Sequence, residues 1–159
     1  MATPEENKAT TDAMAELYRE SYLNAYKVIV VGGRDFSDYE YMSEKLNELF
    51  WCSDIFRVYP IKIIIGMEEG ADMLAIRYAD EYNMTKILFS ANRKEYLHQA
   101  DVLRDEDMLA FATHLIVFVN HEPYGAEQLI IEKARKKGIP IWIFGCQKAN
   151  NQNVDHDLA

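Results

Sequence analysis

Cysteine is almost missing: the two present, Cys52 and Cys146, make neither a disulfide framework nor a zinc-type spacing. Positive charge is also short. Seventeen Lys and Arg stand against 26 Asp and Glu, a formal charge of -9. Such a balance repels nucleic acid and anionic membranes unless basic residues are locally dense. The one dense cluster, Lys133, Arg135, Lys136 and Lys137, reads as a solvated helix end. No segment approaches the roughly 18 consecutive apolar residues of a membrane span. The opening MATPEENKATTD lacks the basic and apolar regions of a signal peptide, so a cytoplasmic location is expected. Histidine is sparse, and His98, His114, His121 and His156 have no metal-ligand spacing. No metal site and no cofactor are expected.

What the chain does have is core material, with 49% hydrophobic and 27% charged residues in a length suited to one domain. Continuous β-branched runs recur at 26–31, 61–66, 86–89, 114–119 and 139–145. Runs of this kind mark strands buried on both faces, as parallel sheets require. Helical periodicity fills the gaps at about 39–50, 71–82, 96–112 and 125–137, with Gly138 placed to stop the last helix. The alternation predicts an α/β, Rossmann-like, doubly wound parallel sheet of about five strands. An extra N-terminal helix is expected at about 10–23, packing on the domain's flank or on a partner subunit. Residues 1–25 then form a tail and helix, 26–146 the Rossmann-like domain, and 147–159 a polar tail.

In such sheets ligands bind beyond the carboxyl ends of the strands, and the loops there are the least ordinary parts of this sequence. The first is Gly32-Gly33-Arg34-Asp35-Phe36, where glycines let backbone approach a ligand and Arg34 adds a fork of donors. Ser37 or Asp38 is placed to cap the next helix. The second is Gly66-Met67-Glu68-Glu69-Gly70-Ala71-Asp72, a glycine-bounded loop entering a helix, as in a phosphate cradle. Glu68 and Glu69 place negative charge there. They fit equally as acceptors for ribose or base, or as carboxylates complementing the helix dipole. The fourth strand is followed by His121 and by Tyr124-Gly125-Ala126, again a glycine opening a helix. Phe36 or Tyr124 could stack on a base.

On these motifs the chain resembles the SLOG superfamily, in its YspA or cpYpsA-related branch. That superfamily also holds the lysine-decarboxylase-like cytokinin-activating enzymes and DprA. The resemblance spans roughly 26 to 144. It rests on Gly-Gly-Arg-Asp-Phe at 32–36, Gly-Met-Glu-Glu-Gly-Ala-Asp at 66–72, Phe89, Tyr96, Arg104 with Met108-Leu109, and Gly125. It implies a pocket for a nucleotide or a ligand derived from NAD or ADP-ribose, sensed or sequestered, in some members within bacterial or phage conflict. By family spacing, Arg104 joins Arg34 as a phosphate contact, although a surface pairing with Glu106 or Asp107 competes for it. The departures include Asp105 for the usual asparagine, Asp101 and Leu97 for glycines, Arg93 for a common tryptophan, a final turn at 124–126 without its hydroxyl residue, and Leu129 where the cytokinin-activating enzymes carry a glutamate. Base cleavage is therefore not inherited.

The expected ligand contacts are Gly32, Gly33, Arg34, Asp35, Phe36, Gly66, Glu69, Gly70, Asp72, Arg104, Tyr124 and Gly125. An N-glycosidase would need a carboxylate near the anomeric carbon, and Glu68, Glu69 and Asp72 are the candidates. A third possibility is an interaction protein with a vestigial pocket. Expected partners are a nucleotide-derived small molecule and further copies of the chain in a homodimer or larger homo-oligomer, with neither nucleic acid nor membrane.

Overall fold

The computed structural model describes residues 3–6, 12–15, 24–91 and 99–145. In chain order these form β1 (Tyr26–Gly32), α1 (Tyr39–Asn47), β2 (Ile61–Gly66), α2 (Ala71–Glu81) and β3 (Thr85–Phe89). Then come α3 (Ala100–Phe111), β4 (His114–Phe118), α4 (Gly125–Lys137) and β5 (Ile141–Phe144). All pairings are parallel, in the order β3-β2-β1-β4-β5. This is the five-stranded, doubly wound sheet expected from the pattern of apolar runs.

β1, β2, β4 and β5 bury residues on both faces, because successive residues of a strand face opposite layers. β3 differs from the expectation: at the sheet edge it is only partly buried, with Leu88 exposed. Val28, Val30, Ile63, Ile65, Ile116 and Phe118 pack with α1 and α2 through Met42, Leu46, Ala75 and Tyr78. The alternate residues Ile29, Ile64, Leu115, Val117 and Ile143 meet α3 and α4 through Met108, Leu109, Ile130 and Ile131. Burying each such aliphatic side chain contributes roughly 1.5–3 kcal/mol, so the two layers hold most of the stabilisation.

Local chemistry sets the ends of the helices. The Asp38 carboxylate caps α1 by accepting from the Tyr41 amide at 3.0 Å. The predicted helix 39–50 is α-helical only to Asn47; Glu48–Cys52 continue as a wider π turn. Ser53 donates to the Leu49 carbonyl at 2.6 Å across that turn. Gly138 ends α4 in the left-handed conformation, its amide and that of Ile139 returning to the Arg135 and Ala134 carbonyls. The fifth strand begins later than its apolar run, at Ile141, since Pro140 has no amide for a ladder. Its carbonyl still accepts from Leu115.

Residues 12–15 are helical and exposed. The remainder of the expected helix at 10–23 lies outside the described residues, as do Tyr96, His98, Cys146 and the tail 147–159. Among the described residues no helix is long and apolar enough to cross a membrane.

Strand order reverses between β1 and β4, the strands flanking the turnover from one helical layer to the other. A crevice forms at such a point because the loops beyond the two strands leave toward opposite faces.

Candidate functional site

Gly32 closes β1 at this crevice, where a Cβ would run into the Phe118 carbonyl of β4, so only glycine permits the approach. The Gly33 amide donates to that same carbonyl at 3.0 Å. The Gly33 carbonyl in turn accepts from Phe36 at 3.2 Å and from Ala71, the first residue of α2, at 3.1 Å. Loop and helix are thus locked together. Gly70 makes the lock possible: it holds φ +81°, and a Cβ there would strike the Gly33 and Arg34 carbonyls. Several amides that the sequence assigned to an anion therefore bind protein instead. The β1 loop and the start of α2 form a wall, not an open phosphate cradle.

Behind this wall lies a cavity of about 70 Å³, lined by Val31, Gly32, Arg34, Glu68, Asp72, Arg104, Asp105 and, from the start of α4, Ala126, Glu127 and Ile130. Typical small-molecule pockets run to roughly 300–1,000 Å³. The volume here takes a few waters or one small polar group. A larger ligand must extend outward, toward the loop after β4.

Charge is arranged around Arg104. Its guanidinium, only 8% exposed, donates from Nη1 to Glu68 Oε1 at 3.1 Å and from Nε to Asp105 Oδ1 at 3.1 Å. Glu68 uses its second oxygen on Arg34 Nη2 at 3.2 Å. The surface pairing with Glu106 or Asp107 does not occur; Glu106 instead meets Lys133. Asp72 is 4% exposed and accepts the Glu68 amide at 3.1 Å through Oδ2. Burial raises its pKa to about 7, against the lowering effects of that amide and of Arg104. A carboxyl poised near neutrality inside a cleft is suited to exchange protons.

The rim after β4 is more open. Asn120 donates to the Asp35 carbonyl at 2.8 Å, and His121 Nε2 lies 3.3 Å from the Asp35 carboxylate. The Glu122 carbonyl and Asp35 raise the His121 pKa. Its ring lies 5.1 Å from Tyr124, which is 66% exposed and sits at the N-cap of α4 with no side-chain cap bond. Gly125, at φ +59°, opens α4 with nothing near its missing Cβ. The positive end of a 13-residue helix thus faces this rim.

Of the expected contacts, Gly32, Arg34, Asp72 and Arg104 line the cavity, while Gly33, Gly66 and Gly70 frame it from behind. Asp35, Tyr124 and Gly125 stand on the outer rim. Two placements differ from expectation. Phe36 is 3% exposed and packs on Phe118 and Tyr41 in the α1 layer, because the turn closed by its amide swings the ring inward. It cannot stack on a ligand. Glu69 is exposed and does not line the cavity, whereas Glu68, one residue earlier, is its central carboxylate. Asp105 and Glu127 also line it without having been singled out as contacts. Glu127 had a signal, an acid in the first helical turn after a glycine; Asp105 had none, since adjacent helical residues rarely face each other. Among the described residues no group of His, Cys, Asp and Glu could hold a metal ion.

Residues 26–96, from β1 past β3, match the model of the YspA, cpYpsA-related SLOG family. The resemblance is to SLOG. The matched stretch contains both glycine loops and Glu68, and stops short of Arg104 and the α4 turn. The fold is similar to that of the solved DNA processing protein A (DprA) from Streptococcus pneumoniae. The two share 14% identity with a TM-score of 0.59, over 82% of this chain and 54% of that one. The chain therefore spans about half the length of that neighbour, and at this identity the likeness is one of fold. No curated protein matches the chain significantly.

Proposed function

We propose that this protein binds a nucleotide-type small molecule, a nucleotide or an NAD- or ADP-ribose-derived ligand, and acts by sensing or sequestering it in the cytoplasm. One observation carries the proposal: two arginines from separate elements meet at the strand-order reversal of a SLOG-type sheet, beside the start of α4. Family likeness supports a nucleotide-related ligand. The cavity accepts one phosphoryl-sized group, with ribose and base lying outward over Tyr124 and His121. Asp35 and Gly125 belong to that outer rim.

Hydrolysis of an N-glycosidic bond is the second reading, favoured by one feature, the Asp72 carboxyl with its pKa near 7. A protonated carboxyl can donate to a leaving base. Against it, Asp72 is only 4% exposed and its Oδ2 is already occupied by the Glu68 amide. Nucleic acid is not the proposed partner, because a charge of -9 opposes a polyanion.

Native mass spectrometry of freshly purified protein, then calorimetry with AMP, NAD and ADP-ribose, tests the proposal. Binding of at least one, lost in Arg104→Gln, is the expected result. Release of free base, abolished in Asp72→Asn, would replace binding by catalysis. Absence of any retained mass and any heat would leave the vestigial-pocket alternative.

A further inference from the structure

Glu68 holds a position that an arriving anion would need. Its two carboxylate oxygens are divided between two guanidiniums, Oε1 on Arg104 Nη1 at 3.1 Å and Oε2 on Arg34 Nη2 at 3.2 Å. Arginine forks recognise carboxylate and phosphoryl oxygens with the same geometry. We propose that Glu68 is a built-in competitor for the ligand's anionic group, so that binding requires its carboxylate to leave the arginine pair. The proposal rests on the nucleotide-binding function above and deepens it: Glu68 sets how tightly a phosphoryl group is held.

Three observations support displacement over co-binding. The cavity is small, about 70 Å³, and Glu68 is one of its walls, so a phosphoryl group that enters it comes to lie against the Glu68 carboxylate. The acids lining it, Glu68, Asp72, Asp105 and Glu127, outnumber Arg34 and Arg104, so an anion entering the resting arrangement meets excess negative charge. Moving the Glu68 carboxylate out from between the arginines reduces that excess, from four acids against two arginines to three against two. Movement is also local. The Glu68 backbone is pinned by Asp72 at 3.1 Å, so side-chain rotation suffices, and Arg34, 63% exposed, marks a route to solvent. A competing internal ion pair lowers apparent affinity by the fraction of molecules in the open arrangement.

The opposite role, Glu68 accepting ribose hydroxyls, predicts the opposite sign, and this separates the two. Glu68→Gln keeps the side-chain shape and removes the charge. Calorimetry should show AMP bound about tenfold more tightly by Glu68→Gln than by the parent, with adenosine, which lacks the anion, unchanged. Glu68→Ala should shift AMP in the same direction. Glu48→Gln, which alters net charge equally at a surface pair with Lys45, should leave both affinities as they are. Weaker AMP binding in Glu68→Gln would overturn the competitor role and leave the nucleotide function standing. An equal gain for AMP and adenosine would overturn it too, as a loosened pocket. No binding of AMP, NAD or ADP-ribose by parent or variants, with native circular dichroism, would sink the nucleotide function itself.

Discussion

Asp72 and His114 carry pKa values moved in opposite senses along the pH axis of stability, and each follows from where its side chain is buried. Asp72 keeps its proton in the fold up to about pH 7, whereas its ordinary pKa is 3.8. Between those values the folded state binds the extra proton, so stability falls as pH rises and the loss is complete above pH 7. Asp72→Asn should therefore gain on the parent across this interval, by on the order of 4 kcal/mol at pH 8, in urea titrations at several pH values. His114 is the reverse. Burial among Tyr26, Phe56 and Trp142 lowers its pKa from 6.5 to about 4. The unfolded chain binds the extra proton there, and stability is lost as pH falls from 6.5 toward 4. His114→Phe should flatten the parent's decline in that window, as followed by the midpoint of thermal unfolding. At this scale the sequence was only partly legible. Arg104 stood out by family spacing, but its partners did not, because Glu68 lies 36 positions away and only the fold brings them together.

The loops before α2 and α4 both begin their helices at a glycine with positive φ, yet they differ in what surrounds it. At Gly70 a Cβ meets backbone carbonyls of the β1 loop, which cannot yield without moving the site wall. Gly70→Ala should cost about 3 kcal/mol or more and weaken ligand binding, since steric collision adds to the strain of the left-handed half of the map. At Gly125 the space is open, so Gly125→Ala should cost only about 1–2 kcal/mol from backbone conformation. Chemical denaturation of the pair checks the ordering; equal losses would mean that the β1 and α2 loops are not interlocked. Elements as a class were well marked in the sequence, because a strand buried on both faces must be apolar throughout. Their ends were less so: the π turn at Glu48–Cys52 and the late start of β5 depend on a side-chain bond and a missing amide.

For the molecule as a whole, binding of the folded state alone raises stability by mass action, about 2.7 kcal/mol at a ligand concentration 100 times Kd. For a chain of this size that is a rise of roughly 5–10 °C in the unfolding midpoint. A thermal-shift panel should show such a rise with one nucleotide class, and a smaller one with adenosine at equal concentration. Duplex DNA should not be retarded by the protein at physiological salt, because its charge of -9 opposes counterion release.

Composition and periodicity by themselves determined the parallel wound sheet and the edge at which its glycine loops gather, since both follow from which residues must leave water and from the fixed handedness of strand crossovers. They could not determine that Phe36 turns into the core, that Glu68 and not Glu69 enters the cavity, or that both arginines are already held by a carboxylate. Those outcomes depend on side-chain direction at single positions, decided only when the β1 loop, α2 and α3 pack within hydrogen-bonding distance of one another.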